Sequence, residues 1–240
     1  MPEIAKPINR LLAALPEKEY KHCFEKMERV ELTYGVTIYK SGAAIRHVYF
    51  PESGIVSLLS TVNDTMTLEV GIVGSEGMIG LPVFLGVKNS NNLALVQGAG
   101  HALRMTTKDF LDSCLSGEEM SRVLKRFTHS LMTQTAQSAA CNRFHAIDSR
   151  MARWLLMTHD RMKTGAFQIT QEFLSNMVGV RREAVSKAAK GFQQRGLIEY
   201  KRGTLMILDI KGVKEIACEC YEIISRNHPS YAKKDNNGSH

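Results

Sequence analysis

The chain has 240 residues, 44% of them hydrophobic and 23% charged, which is enough apolar material for one large or two modest cores. No apolar run reaches the roughly 20 residues of a membrane span, and MPEIAKPINR lacks the apolar centre of a secretion signal, so a soluble, cytoplasmic protein with no membrane partner is expected. The net charge of +7 is uneven: residues 1–142 hold 14 Lys and Arg against 14 Asp and Glu, residues 143–226 hold 15 against 9, and a polyanion partner is expected for the second part.

In chain order, residues 4–27 carry Leu11, Leu12 and Leu15, then Tyr20, Cys23, Phe24 and Met27 at helical spacing. Pro16 breaks them into two short helices. From about Glu28 to Met105 the texture changes to short β-prone runs between glycine or polar turns: VELTY, VTIYK, HVYF, GIVSLLSTV, TMTLEVGIV, NLALVQG and HALRM. Such spacing predicts a compact antiparallel β-sandwich or roll. Within it VGSEGMIGLPVFLG, residues 73–86, is too rich in glycine for one strand. It predicts a sharp bend and a short helix, either lining a pocket or merely closing the roll.

Helical period returns after Thr106-Thr107 and dominates from Gly117. Met120, Leu124, Phe127, Leu131, Gln134, Ser138 and Cys141 follow alternating steps of four and three, the seam of a coiled coil. A helix lying on its own β-domain would give the same pattern. A symmetric dimer across this seam is the preferred reading, because the helix stands between the two halves of the chain. Residues 142–162 are expected to continue as helix, with Phe144, Ile147, Met151, Trp154, Leu155 and Thr158 inward and Arg150, Arg153 and Arg161 outward.

The stretch ITQEFLSNMVGVRREAVSKAAKGFQQRGLIEY, residues 169–200, reads as two short helices joined at Gly179. Thr170 can cap the first and Glu172 suits its positive end. Leu174, Met177 and Val178 form its inner stripe, while Val185, Ala188, Ala189 and Phe192 form that of the second. A glycine at the junction can take positive φ, which permits the steep turn of a helix-turn-helix. Two strands on either side of Lys201-Arg202-Gly203 complete a winged form, preferred over an ordinary amphipathic helix pair because turn, stripes, basic face and wing agree. Residues 210–226 read as one further helix, and 227–240 as a mobile tail ending in Gly238-Ser239-His240, either native or an added remnant.

Five cysteines, Cys23, Cys114, Cys141, Cys218 and Cys220, give no disulfide framework. Cys218 and Cys220, two apart in an expected helix, would point apart, and the histidines do not cluster in sequence, so no metal site is expected. No serine-histidine-aspartate set or phosphate loop is visible, and the chain is not expected to be an enzyme.

The α+β order of short helices, an antiparallel β-roll, a long helix and a winged helix-turn-helix resembles the Crp/Fnr family of bacterial transcription regulators, most specifically over ITQEFLSNMVGVRREAVSKAAK. The resemblance implies a cyclic-nucleotide-binding-like sensor roll over 1–116, a dimerisation helix over 117–145 using Met120, Leu124, Phe127, Leu131, Gln134 and Ser138, and a DNA-binding domain over 146–226. It implies a homodimer on a near-palindromic duplex operator, with RNA polymerase as a further candidate partner. The family's Arg-Glu pair and following basic residue fall on Arg182, Glu183 and Lys187. An arginine fork suits the guanine edge, a glutamate can accept from cytosine, and lysine can reach another guanine as a point donor. Arg181, Ser186, Lys190, Lys201 and Arg202 are candidates for phosphate contacts. Val180-Arg181 replaces the expected Ser or Thr cap, costing that helix end about 1 kcal/mol.

The resemblance also locates a candidate effector pocket at Gly80, Leu81, Val83, Asn92 and Leu93. The family's phosphate cassette is incomplete: Gly80-Leu81-Pro82-Val83 and Asn91-Asn92-Leu93-Ala94 hold neither its glutamate nor its arginine. A buried cyclic phosphate would lack its charge partner, which disfavours cyclic AMP in the usual pose. An Fnr-type iron-sulfur cluster is disfavoured because the grouped N-terminal cysteines are missing and Cys23 stands alone. The effector is thus unknown: a haem, an apolar or acidic metabolite, or none. Two rival readings are a cupin-like metal enzyme, against which His47 and His101 stand isolated, and a regulatory module whose helix-turn-helix contacts protein.

Overall fold

The computed structural model of the chain describes residues 6–62 and 66–228. Of the expected tail only Asn227 and His228 fall among them; Gly238, Ser239 and His240 lie outside the described residues. A 3-10 turn at Leu12–Ala14 and α1 (Glu17–Phe24) flank Pro16. Buried Asn9 fastens this turn to the body of the domain. Its Oδ1 accepts from the amides of Leu11 and Leu12 at 3.1 and 3.2 Å, and its Nδ2 donates to the carbonyls of Pro51 and Gly77, each at 2.9 Å.

Among the described residues seven strands follow: β1 (Glu28–Leu32), β2 (Thr37–Tyr39), β3 (His47–Pro51), β4 (Ile55–Val62), β5 (Met66–Val73), β6 (Asn92–Gly98) and β7 (Gly100–Thr106). They pair antiparallel in two sheets, ordered β1-β7-β3 and β2-β6-β4-β5. The glycine-rich segment makes the expected bend and short helix, with Gly80 at φ 97° ahead of α2 (Leu81–Phe84). Val48, Phe50, Met78, Ile79 and Phe110 fill the space between the sheets. Thr106 Oγ1 accepts from the Asp109 amide at 3.1 Å and so starts α3 (Thr107–Ser116), which leads into the long α4 (Glu118–Phe144).

The seam of α4 is corrected by its surroundings. Met120, Leu124 and Phe127 are buried in the roll's own core, with Leu131 packed against them. Phe127 lies over Gly77, where an added Cβ would come within 2.1 Å of its ring. Gln134 accepts from the Ile72 amide at 2.6 Å and donates to the Ile72 carbonyl at 3.2 Å, and Thr135 donates to the Val70 carbonyl at 3.0 Å. β5 is the last strand of its sheet, and α4 satisfies edge groups that would otherwise lack partners. Ser138 is also buried, 3.4 Å from Arg153 Nη1. These residues therefore face their own subunit rather than a partner copy. Each large apolar side chain of the stripe would forfeit about 1.5–3 kcal/mol if turned out to water. The opposite face holds Lys125, His129, Met132, Ala136, Ala139 and Arg143, again at steps of four and three.

The helix expected to run on through 142–162 breaks at His145 and Ala146, and Phe144, expected inward, is 76% exposed. Helix α5 (Ile147–Met162) is then buried nearly all round, because it lies between the roll and the second domain. Arg150, Arg153 and Arg161 are buried and not outward, each given a partner. Arg161 Nε meets Glu76 Oε1 at 2.7 Å, Arg153 Nη1 also meets Met157 Sδ at 3.2 Å, and Arg150 serves the next helix. Trp154 is in the second core as expected, and Leu59 of β4 joins that core from the roll.

The remaining elements are β8 (Ala166–Gln168), α6 (Gln171–Val178), α7 (Arg182–Gln194), β9 (Ile198–Lys201), β10 (Thr204–Ile207), α8 (Ile210–Ile216) and α9 (Cys220–Arg226). The wing is three-stranded, β8-β10-β9, with an outer strand too short to announce itself by alternation. The single helix expected over 210–226 is two helices, broken at Ala217, Cys218 and Glu219. Among the described residues, no helix is long and apolar enough to cross a membrane.

Candidate nucleic-acid interface

Thr170 Oγ1 accepts from the Phe173 amide at 3.0 Å and starts α6; Glu172 lies in its first turn. At the other end Gly179 has φ 67°, and the Val180 amide reaches the Ser175 carbonyl at 3.0 Å, which closes the helix in a left-handed cap. Arg150 Nη2 donates to the carbonyls of Val178 and of Gly179, the latter at 3.2 Å, placing a cation on the negative end of α6. Sequence reasoning missed this cap, since an arginine on an amphipathic helix carries no sign that it will be buried. The close turn also packs against the roll: a Cβ on Gly179 would stand 2.5 Å from Leu68 Cδ1.

Helix α7 then crosses α6 with Val185, Ala188, Ala189 and Phe192 buried. Its outer face leaves Arg181, Arg182, Glu183, Lys187 and Lys190 exposed. Arg181 holds the cap position with φ −70° and ψ 149° but supplies no side-chain hydrogen bond. Ser186 is half-buried and donates to Gln171 Oε1 at 2.6 Å, so its hydroxyl is engaged in fastening α7 to α6. The wing turns at Arg202 and Gly203, φ 51° and 79°, between paired Lys201 and Thr204. That is a two-residue turn with both central residues left-handed, and Lys201 and Arg202 are exposed at its tip. Tyr200, its pKa pushed up to about 12 by burial, stays protonated and donates a hydrogen bond to the Ile169 carbonyl at 2.8 Å. Between wing and helix opens a cleft of about 510 Å³, lined by Thr170, Gln171, Arg182, Lys190, Gln193 and Arg202 among others. Thr170, Gln171 and Gln193 are additions to the expected set; only the folded wing brings them to this surface.

Residues 149–216 match the model of the Crp-like helix-turn-helix domain. Over these residues the chain carries a Crp-like helix-turn-helix domain, and the relatives it resembles are transcription regulators. A curated relative, the CRP-like cAMP-activated global transcriptional regulator of Mycobacterium tuberculosis, is 26% identical over 195 residues, covering 77% of this chain and 86% of that one. FixK2 from Bradyrhizobium japonicum has a similar fold, with a TM-score of 0.68 at 12% identity over 80% of this chain and 98% of that one. A CRP-family transcriptional regulator from Thermus thermophilus aligns with a TM-score of 0.66 at 20% identity, over 80% of this chain and 96% of that one. The relatives are regulators and not enzymes, which sets the cupin reading aside.

The roll holds a cavity of about 100 Å³, lined by Tyr39, Met78, Gly80, Leu81, Ser90 and Asn92, with Leu131 reaching in from α4. Gly80, Leu81 and Asn92 are thus at the expected pocket. Val83 is instead packed in the roll's core, and Leu93, one residue from Asn92 on the same strand, faces the opposite side and packs on the second core.

The expectation that no metal ligands gather is also corrected. Cys141, His145, Cys218 and Cys220 come together where α4 ends beside the α8–α9 break, their ligand atoms all within 4.8 Å of one another. The break lets Cys218 and Cys220 turn to the same side, which a continuous helix would forbid. Contact with Cys218 holds the Cys141 thiol below its ordinary range, while the same contact, with burial, pushes Cys218 up.

Proposed function

We propose that the regulator binds duplex DNA as a homodimer, setting two copies of α7 into successive major grooves about 34 Å apart on a near-palindromic operator. The observation that carries this is the outer face of α7, exposed and cationic beside a basic wing, while its inner face is buried against α6. Arg182, Glu183 and Lys187 read base edges; Arg181, Lys190, Lys201 and Arg202 meet phosphates. Because the first turn of α7 has no side-chain cap, a phosphate oxygen completes it at the positive end of the helix. Ser186 acts by holding α7 on α6 rather than on the backbone of the duplex. Residues 146–226 work as the reading unit, 1–116 as the sensor-like roll and 117–145 as the link between copies, with RNA polymerase as a further partner in the cytoplasm.

The twin is met across Met132, Ala136 and Ala139, the exposed stripe of α4, where small side chains allow helices to approach closely. The M. tuberculosis relative is cAMP-activated by name. This chain does not take cyclic AMP in the usual pose: the cassette lacks its arginine and glutamate, and a cavity of about 100 Å³ is well below the roughly 300 Å³ of small-molecule sites. Any effector is then of apolar or small acidic chemistry.

The test is selection of bound sequences from random duplexes with the parent and Arg182→Ala. The parent yields a two-fold symmetric motif whose affinity falls steeply with salt. Arg182→Ala loses about 1–3 kcal/mol and relaxes one position in each half-site. An unchanged motif from the variant refutes the role of Arg182, and absence of any preferred motif refutes sequence-specific reading.

A further inference from the structure

Four side chains that no part of the DNA reading uses converge at the joint between α4 and the α8–α9 corner. Cys141 and His145 stand four residues apart at the end of α4 and so share one face. Cys218 and Cys220 flank Glu219 where the chain leaves α8 and enters α9. Cys141 Sγ is 3.5 Å from Cys218 Sγ, and Cys220 Sγ is 3.4 Å from His145 Nδ1. A zinc ion with bonds of about 2.3 Å to sulfur and about 2.0 Å to nitrogen sets its ligands roughly 3.5–3.8 Å apart, which the observed separations of 3.4 to 4.8 Å bracket.

The groups around the four have the form such a site needs. His145 turns Nδ1 toward the sulfurs, and its Nε2 faces Glu219 Oε1 at 3.2 Å, a carboxylate placed to fix the ring and its tautomer. Gln137 Nε2 donates to Cys220 Sγ at 3.1 Å. Three thiolates and one neutral imidazole on a divalent ion leave one net negative charge. Arg153 and Arg150 both act on Cys141, and each has a buried Nε–H without a hydrogen-bond partner. All three cysteines are buried.

We propose that Cys141, His145, Cys218 and Cys220 form a closed, four-ligand site for a thiolate-favouring divalent metal ion, zinc(II) by its chemistry. Binding releases the thiol protons to solvent and moves no electrons. With all four positions filled by protein the ion has no place for substrate, so it is structural. It fastens the last turn of α4 to the α8–α9 pair of the reading domain, and so fixes how α7 is carried relative to the roll. A Cys141–Cys218 disulfide accounts for less: it needs an oxidant, must draw the sulfurs in to about 2.05 Å, and leaves Cys220, His145 and Glu219 without a role. An iron-sulfur cluster needs its sulfurs spread around a cage, whereas these close on a single point.

The experiment is a titration of the untagged full-length protein, reduced and stripped with chelator, first with cobalt(II) and then with zinc(II). The expected result is one equivalent per chain, with intense thiolate-to-cobalt charge transfer, tetrahedral visible bands, and bleaching by zinc bound at about 1 nM or tighter. Cys220→Ser and Cys141→Ser abolish the charge-transfer pattern of three thiolates, and Glu219→Gln keeps one equivalent but weakens it about 10–100-fold. Should the serine variants fail to fold, alkylation of the unaltered protein decides the matter: zinc protects Cys141, Cys218 and Cys220 and leaves the rates at Cys23 and Cys114 unchanged. Absence of charge transfer, equal alkylation with and without zinc, or cobalt binding that survives both serine changes overturns the proposal. No DNA enters these measurements, so their failure and that of the operator reading are separate events.

Discussion

Trp154 Nε1 donates to Glu69 Oε1 across 3.0 Å, joining α5 of the reading domain to β5 of the roll. Glu69 is buried, and desolvation raises its pKa from an ordinary 4.5 to about 7 against the opposing pull of Ser57, Arg153, Trp154 and Arg161. An acid so raised keeps its proton in the folded chain at a pH where the unfolded chain has lost it. Stability therefore falls as pH rises from about 4.5 to about 7, and levels off above. Glu69→Gln retains the acceptor for Trp154 and removes the titration. Melting temperature measured across this window should fall less with pH in the variant than in the parent; parallel curves would show that Glu69 is not the group responsible.

Glu76, on the same side of α5, behaves oppositely. Burial alone would raise it, but Arg161 at 2.7 Å and the charge of His228 outweigh that and hold the carboxyl low. Its contribution is present at neutral pH and is lost as pH falls through the folded value. Arg161→Met strands a buried carboxylate and should cost about 3–5 kcal/mol, whereas Glu76→Gln with Arg161→Met should restore much of it. A loss in the double variant equal to the sum of the losses in Arg161→Met and Glu76→Gln alone, read in denaturant titrations, would show the two side chains to be independent.

Arg150 closes the helix-turn-helix from beneath, so its removal should loosen the turn that aims α7. Arg150→Met preserves the apolar stem but leaves the Val178 and Gly179 carbonyls without their charged donor, at a cost of about 1–3 kcal/mol. Amide exchange should accelerate at Val180 and along the start of α7 while the roll's strands stay protected. Uniform acceleration across both domains would count against a local role.

Arg202 sits where the wing needs a left-handed residue, a conformation that costs a side chain of its kind about 1 kcal/mol. Arg202→Asn suits the turn better and should raise the melting temperature, while DNA affinity drops and the slope of log affinity against log salt shrinks by about one. If the variant were more stable with its salt dependence intact, the tip would be kept away from the phosphates.

How far these features could be read in advance depended on whether they were local. The seven strands show because one face of each is apolar, and the helix-turn-helix shows because Gly179 falls between two stripes of helical period. Helix α4 has a genuine period, but a step of four and three says only that one face is covered; the same stripe serves a twin helix or the edge of β5. The arginines of α5 were illegible because charge ordinarily marks the surface, and only Glu76, the α6 carbonyls and Ser138 explain their burial. The four candidate ligands lie in two pairs far apart in sequence, separated by most of the reading domain. No Gly or Pro marks the break at Ala217, Cys218 and Glu219 that aims the second pair.

The two faces of α4 make opposite predictions for one helix. Ala136 is exposed and Gln134 is bonded to Ile72 of β5. In the proposed dimer, Ala136→Glu should therefore place like charges across the two-fold axis and shift the mass in solution from dimer toward monomer with little change in the unfolding of each subunit. Gln134→Ala should do the reverse: it leaves the Ile72 amide and carbonyl buried and unbonded, which costs about 1–3 kcal/mol, while the dimer persists wherever the chain is folded. Light scattering beside denaturant titration reads both quantities on the same samples. Loss of the dimer in Gln134→Ala at full stability, with Ala136→Glu still dimeric, would return the contact between copies to the inner stripe and require α4 to leave the sheet edge that it now covers.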